Sequence, residues 1–324
     1  MISPARQRLL VRAGYLNRAR QYFADAGVLE VETPLLSNAA VTDPHVDCLP
    51  AGNQQFLRPS PEYALKRLLC EGSGDIYEIG KVFRQGEHSR RHNPEFTMVE
   101  WYRLGFDLQA MITDTIAFIK RLAADARHPV GAVKQLTYAE LFAEFAGVDS
   151  LSAPTENLKS YAIGTLGDQL SIDLPAALGS DRQAWLDLIM SHVIEPALQR
   201  NNPETLIAVT HYPAEQALLA KLSEKNPETA ERFEIYYRGN ELANGFYELQ
   251  DPIEQRQRFM KDRVKRKAVG QPVPDIDEAF LTALTRGLPE CSGVAVGLDR
   301  LMMSCEGYSR IDQTLALSTN NIQP

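Results

Sequence analysis

"DIYEIGKVF" (residues 75–83), "RQGEHSRRHNP" (84–94) and "EFTMVEWYRL" (95–104) decide the fold. The outer two segments read as strands, rich in β-branched and aromatic residues. In the second, Phe96, Met98, Glu100 and Tyr102 alternate with Thr97 and Val99. The middle segment is then a long hairpin connection, which makes the flanking strands antiparallel neighbours. It gathers Arg84, His88, Arg90, Arg91 and His92 within nine positions of a chain whose formal net charge is -8. Arginine offers planar, bidentate donors suited to phosphate. Taken alone, the loop reads better as a solvated tip.

Working outward, residues 4–26 read as a helix, with Leu9, Leu10, Ala13, Leu16, Ala19, Tyr22 and Phe23 at spacings of three and four, stopped at Gly27. "VLEVETPLL" (28–36) alternates like a strand ended by Pro34. Residues 61–71 read as a helix with Pro61 in its first turn and Leu65, Leu68 and Leu69 on one face. The middle of the chain reads mainly as helices, at 108–126, at 137–146 with a Thr137–Glu140 capping box, and at 181–199. Residues 150–180 carry no clear pattern. "TLIAVTHYP" (205–213) is a strand, and "RFEIYYRGNELANGFYELQD" (232–251) is two strands joined near Gly239-Asn240. Polar helices follow at 252–268 and 275–286, and "SGVAVGLDRLMMSCEG" (292–307) is a strand entering a helix. Hairpin-joined strands with helices in separate blocks predict an α+β fold built on an antiparallel sheet.

The 324 residues are 44% hydrophobic and 23% charged, the balance of an ordinary globular protein. No apolar run approaches the roughly 20 residues needed to span a bilayer. "MISPARQRLL" has no apolar signal region. Cys48, Cys70, Cys291 and Cys305 are scattered, which fits reduced thiols rather than zinc or disulfides. A cytoplasmic protein is expected. Its pI near 5.4 argues against broad nucleic-acid binding.

Gly80-Lys81 is followed by Val82, so there is no P-loop, and no G-x-G-x-x-G follows a strand. His88 and His92 have zincin-like spacing, but the arginines between them would repel a cation. Glu234, Glu241 and Glu248 share one predicted hairpin with Asn244. Carboxylates there suit Mg²⁺ with phosphate oxygens, or an ammonium group; a solvated polar face is the plain alternative. In "GVAVGLDR" the small residues Gly293, Ala295 and Gly297 face one side of a strand, which admits a flat ligand or tight packing, and Asp299 and Arg300 follow. Arginines for phosphate, carboxylates for Mg²⁺ and a small-residue strand together make an ATP site.

These segments also form a familiar set. "FRQGEHSRRHNPEFTMVEWY" resembles motif 2 of class II aminoacyl-tRNA synthetases of the lysine branch. "GVAVGLDRLMM" resembles motif 3, and "FADAGVLEVETPLL" resembles motif 1. "SPEYALKRLL" and "NELANGFYELQD" are similar to the lysine-branch substrate segments. Motif 1 begins within the first thirty residues, so an N-terminal anticodon-binding OB-fold domain is not expected. That architecture resembles the elongation factor P–(R)-β-lysine ligase family, truncated paralogues of lysyl-tRNA synthetase.

The resemblance implies a single class II synthetase-like catalytic domain over residues 1–324, with a six-stranded antiparallel sheet flanked by helices, and a homodimer formed through motif 1. Arg84 would bind the α-phosphate of ATP and the developing adenylate, and Arg300 the γ-phosphate; these two are the catalytic candidates. Gln85, Gly86, Asn93 and Phe96 would serve the adenine, Leu242 and Gly297 would lie beside the nucleotide, and Glu241 with Glu234 behind it would hold Mg²⁺. Ser60, Pro61, Glu62, Glu100, Tyr102, Glu248 and Ala295 would form the amino-acid side, with Glu62 and Glu248 taking two amino groups. Two carboxylates suit a doubly cationic, lysine-like substrate on electrostatic grounds alone. ATP and Mg²⁺ are the implied cofactors and elongation factor P the implied protein partner; neither tRNA nor a membrane is expected.

Two positions depart from the synthetase pattern. Gly86 stands where motif 2 usually has a Glu near the adenine amino group; either Glu87 takes that role through a shifted loop or backbone groups of Gln85 and Gly86 do. Ala295 stands where lysyl-tRNA synthetases usually have Gly. The Ala agrees with the β-lysine family. A truncated synthetase activating α-lysine for another acceptor, and a non-catalytic lysine- or ATP-binding paralogue, are the competing readings; the presence of Arg84, Glu241 and Arg300 weighs against the second.

Overall fold

The computed structural model describes residues 3–317. The chain divides into two compact units, one formed by the segments up to Pro129 and from Gly245 onward, the other by Val130–Asn244.

The first unit opens with α1 (Pro4–Asp25), which has Ser3 as N-cap and Gly27 in left-handed conformation just past its end. Then come β1 (Leu29–Glu30), β2 (Leu36–Ser37), β3 (Leu49–Gly52), β4 (Gln55–Leu57), α2 (Glu62–Cys70), β5 (Ile76–Phe83), β6 (Glu95–Leu104) and α3 (Leu108–Leu122). The second unit contains β7 (Val133–Thr137), α4 (Tyr138–Ala146), α5 (Thr155–Leu166), α6 (Leu174–Leu178), α7 (Arg182–Ile189), α8 (Glu195–Asn201), β8 (Leu206–Pro213) and β9 (Thr229–Tyr237). Strand β10 (Asn240–Tyr247) contains the boundary residue Asn244. The first unit resumes with α9 (Pro252–Ala268), α10 (Glu278–Thr285), β11 (Cys291–Gly297) and α11 (Leu298–Glu306).

The main sheet runs β1-β5-β6-β11-β10-β9-β8-β7, and β2-β4-β3 form a small separate sheet. The α+β reading holds, but the six-stranded antiparallel expectation does not: the sheet has eight strands and is mixed. β5–β6, β6–β11 and β8–β9 are antiparallel, whereas the edge pairs β1–β5 and β7–β8 are parallel. The expected strand over 28–36 shrinks to the two residues of β1. Leu29 is 57% exposed there, so the alternation records no buried face, and Pro34 cannot continue a ladder.

On the back of the first unit's sheet, Trp101 packs against Phe23 of α1 and Phe118 of α3, with ring centroids 5.3 and 4.9 Å apart. The odd-numbered residues of β6 therefore face these helices, and the even-numbered ones face the opposite side. Arg12 of α1 reaches through to Asp299, which also accepts the Thr97 amide at 2.6 Å. Helix α2 is held from outside by Tyr63, stacked on Phe280 of α10 at 4.5 Å.

In the second unit, α4, α5 and α7 bury Phe142, Leu158 and Trp185 in one cluster with Ile207 and Val209 of β8. The Thr137–Glu140 capping box forms as expected. The helix read over 181–199 is interrupted by a π-helical turn at Met190–Ile194. Pro196 explains it: with no N–H to donate, it cannot sit in an uninterrupted α-helical ladder. The β9–β10 turn falls at Arg238-Gly239, both with positive φ, one residue earlier than expected. Among the described residues no helix is long and apolar enough to cross a membrane, and none of the four cysteines is in a disulfide.

Candidate active site

The ladder register sets Gly293 opposite Tyr102, Ala295 opposite Glu100 and Gly297 opposite Met98. All six lie on the sheet face turned away from α1 and α3. The need for glycine at 293 is steric. A methyl group there would land in the Tyr102 ring and 2.6 Å from Glu248 Oε1. Sequence reading assigned the space beside this strand to a ligand or a backbone; at Gly293 the protein's own tyrosine and glutamate take it. Gly297 is not crowded in the same way. The Ala295 methyl packs on Val82, Phe96 and Met98.

Glu100 is 2% exposed and accepts hydrogen bonds from Ser60 and Tyr102, both at 2.8 Å. The Ser60 hydroxyl in turn accepts the Glu62 amide at 3.0 Å, which fixes the start of α2 just after Pro61. One turn along α2 is Lys66, whose side chain is 1% exposed. Its Nζ lies 2.7 Å from Glu62 Oε1 and 2.6 Å from Glu248 Oε2. The second contact is an ion pair off hydrogen-bonding angles, so neither Glu248 oxygen receives a well-aligned hydrogen bond.

Three carboxylates and one ammonium thus share a buried cluster. Burial, reinforced by the charge of Glu62, pushes the Glu100 carboxyl up to about 8. The same two causes raise Glu248, against the pull of Lys66. Burial alone would lower Lys66, but Glu248 and Glu62 outweigh it and hold the ammonium charged.

Four residues before Glu100 on the same face is Phe96, about 13 Å away along the strand. The Arg84 guanidinium sits 5.3 Å from its ring centroid. The Arg84 amide donates to Pro94 O at 2.9 Å, closing the neck of the 84–94 loop, and its Nη1 lies 3.4 Å from Glu87. Gly86 adopts φ +80°, a left-handed conformation that disfavours glutamate and accounts for the departure at this position. Glu87 instead points its carboxylate to Arg84. Gln85 is exposed, and its amide donates to Asp47 O at 2.8 Å. Arg90 is tied at its carbonyl by the Ile311 amide.

Asn93 is buried and donates to Glu95 O at 2.6 Å, shaping the loop's return to β6. Burial, then Arg300, lowers the His92 pKa, with Arg84 and Arg91 adding to the effect against Glu87. That places Arg300, from the first turn of α11, in the same positive field as the loop arginines. A field of this sign suits an anion and disfavours a metal at His88 and His92. Asp299, beside Arg300, is committed to Arg12, the Thr97 amide and the Thr314 hydroxyl.

In the second unit, Glu234 is buried and its carboxylate takes Arg232, Tyr212 at 2.6 Å and Tyr236 at 2.5 Å. Arg232 continues to Asn244 Oδ1 at 3.2 Å. Leu242 is 2% exposed, whereas Glu241 is half-buried. As a direct Mg²⁺ ligand Glu234 fits poorly, because its charge is already paired with Arg232 and both of its oxygens accept hydrogen bonds. Glu241 fits a site in which one carboxylate is joined by phosphate oxygens and water, the usual Mg²⁺ arrangement. No group of three or more His, Cys, Asp or Glu among the described residues could hold a metal by itself.

Sequence reading missed Lys66, although it lies in the quoted "SPEYALKRLL" four positions after Glu62, the spacing of a helical ion pair. It also missed Arg232, Tyr212 and Tyr236, which come together only through the strand pairing.

The fold and these sites define a class II synthetase catalytic core, and the family of class II tRNA synthetases (D, K and N) matches over residues 3–321. Among curated proteins the chain is 41% identical over 327 residues to an elongation factor P–(R)-β-lysine ligase of Pasteurella multocida, covering 97% of this chain and 96% of the relative. It is 42% identical over 314 residues to the ligase so named in Vibrio cholerae, covering 94% and 93%. For that of Haemophilus influenzae strain PittGG the figures are 41% over 322 residues, covering 97% and 95%. The chain belongs to the class II tRNA synthetases and, within them, to the family of these ligases.

Proposed function

We propose that this protein is an ATP-dependent ligase that activates (R)-β-lysine as an adenylate and transfers it to the ε-amino group of a lysine on elongation factor P. One observation carries the reading beyond the family match. A single sheet face in the first unit bears a buried cluster of Glu100, Tyr102 and Glu248 and, about 13 Å along the strand, an aromatic ring under Arg84. The first suits the amino groups of a diamino acid, the second an adenine and its phosphates.

In this reading Glu62, Glu100 and Glu248 orient the ammonium groups, with Ser60, Pro61, Tyr102 and Ala295 shaping the walls. Arg84 steadies the α-phosphate and Arg300 the γ-phosphate. Phe96 stacks on the adenine, with Gln85, Gly86 and Asn93 forming the loop around it and Gly297 beside the nucleotide. The amino-acid carboxylate attacks the α-phosphorus, the bond to the bridging oxygen breaks and pyrophosphate leaves. The acceptor amine, as free base, then attacks the carbonyl of the mixed anhydride, and AMP departs. The protein's contribution is position and charge neutralisation, with no covalent enzyme intermediate. Glu241, supported by the Glu234–Arg232 pair, would hold Mg²⁺, which when bound offsets phosphate charge.

The protein acts in the cytoplasm as a homodimer without tRNA. Leu29, Leu35 and Leu36 of the motif 1 segment, and Leu9 and Leu10 on α1, are each between 43% and 57% exposed, apolar side chains that a second copy would cover. The test of the reading is to incubate elongation factor P with the protein, ATP and (R)-β-lysine. Intact-mass spectrometry should show one added lysyl group on a single lysine. An unmodified factor, with tRNA charged instead, would overturn it.

A further inference from the structure

Lys66 is buried between Leu65 and Leu69 on the inner face of α2, where an apolar residue would cost less desolvation. It pairs with two carboxylates rather than one. Glu62, Glu100 and Glu248 bring three negative charges when ionised; Lys66 brings one positive charge, which leaves two negative. No other charged group acts on Lys66 as strongly as Glu248 and Glu62. The groups acting on Glu100 are Glu62 and Lys66 from α2, and the Ser60 and Tyr102 hydroxyls. Those acting on Glu248 are Lys66, Glu62 and the Gly293 backbone.

We propose that Lys66 is a positioning and specificity-determining residue of the amino-acid pocket: it fixes Glu62 and Glu248 and trims the pocket's charge to match an amino acid with two ammonium groups. This rests on the reading that those carboxylates receive the amino groups. A neutral residue at 66 would leave three carboxylates, two of them buried, facing two ammonium groups. The surplus charge would be neutralised by protons held more tightly, and those protons compete with the ammonium groups for the same oxygens.

Protons already compete in the native protein, since burial and Glu62 keep Glu100 and Glu248 protonated up to about 8. Binding of (R)-β-lysine should therefore tighten as pH rises toward that value, by up to about tenfold per pH unit for each proton released. Lys66→Met should weaken binding at least about tenfold near neutrality and shift the pH midpoint of binding upward by about one unit or more. Lys66→Arg, which keeps the charge, should restore the midpoint. ATP affinity should not change in either variant.

The experiment is isothermal titration calorimetry of (R)-β-lysine across pH, in two buffers of different ionisation enthalpy so that released protons are counted. Lys66→Met with the wild-type midpoint and proton count would overturn the proposal, even if its affinity fell, because the residue would then be scaffolding only. If Lys66→Met does not fold, the wild-type profile decides: a pH-independent affinity with no proton release below about 8 overturns it. Wild-type protein that binds ATP but no diamino acid would bring down the reading of the pocket itself, and this inference with it.

Discussion

At Gly293, Tyr102 and Glu248 fill the space a side chain would need. Gly293→Ala forces both to move, and overpacking of this kind costs about 1–3 kcal/mol. The account expects that loss in chemical denaturation, together with a KM for the amino acid raised far more than the KM for ATP. Glu100 gives a pH prediction. Its carboxyl, ordinarily near 4.5, is held protonated up to about 8 by burial and Glu62. Between those values the folded state binds the proton and the unfolded state has lost it, so stability falls as pH rises, by at most about 1.4 kcal/mol per unit. Glu100→Gln removes this penalty. In thermal melts the variant should gain on the wild type steadily from pH 4.5 to about 8; parallel curves would show that Glu100 is ionised throughout. At this scale Glu62, Glu100 and Arg84 were legible as candidates, for the roles proposed above, because each belongs to a motif. Lys66 was not, because a lysine on a helix reads as solvent-facing until the carboxylates around it are placed.

The hairpin 75–104 was legible as an element because both strands are long and strongly patterned. Strand β1 was read too long, being only two residues, and β7 was missed, being a short polar segment that gains its place only by pairing with β8. The π turn before α8 needed attention to Pro196. The arginine loop's conformation depends on Gly86. Gly86→Ala imposes a strained left-handed backbone, worth about 1 kcal/mol, and should raise the KM for ATP with little change in the amino-acid KM. Asp299 joins α11, α1 and β6 through one buried carboxylate. Breaking a buried pair of this kind costs about 3–5 kcal/mol. Asp299→Ala should show that loss in denaturant unfolding, whereas a loss near that of a surface pair would mean that the staple is not formed.

For the molecule as a whole, the order of the three synthetase motifs made the class readable, while the eight-stranded mixed sheet was not, since two short edge strands leave no mark on composition. The exposed leucines of α1 and the motif 1 segment predict a dimer in sedimentation equilibrium, converted to monomer when Leu29 and Leu36 are both changed to Glu; a wild-type monomer would contradict the assembly. The central claim is that this chain adenylates a diamino acid, with Arg84 and Arg300 around the phosphates and Glu62, Glu100 and Glu248 around the ammonium groups. The most direct test is ATP–pyrophosphate exchange with (R)-β-lysine and with α-lysine, each repeated with Arg300→Ala. The account predicts exchange that favours (R)-β-lysine and disappears in the variant. Exchange that favours α-lysine, or none in a folded protein that still binds ATP, would contradict it.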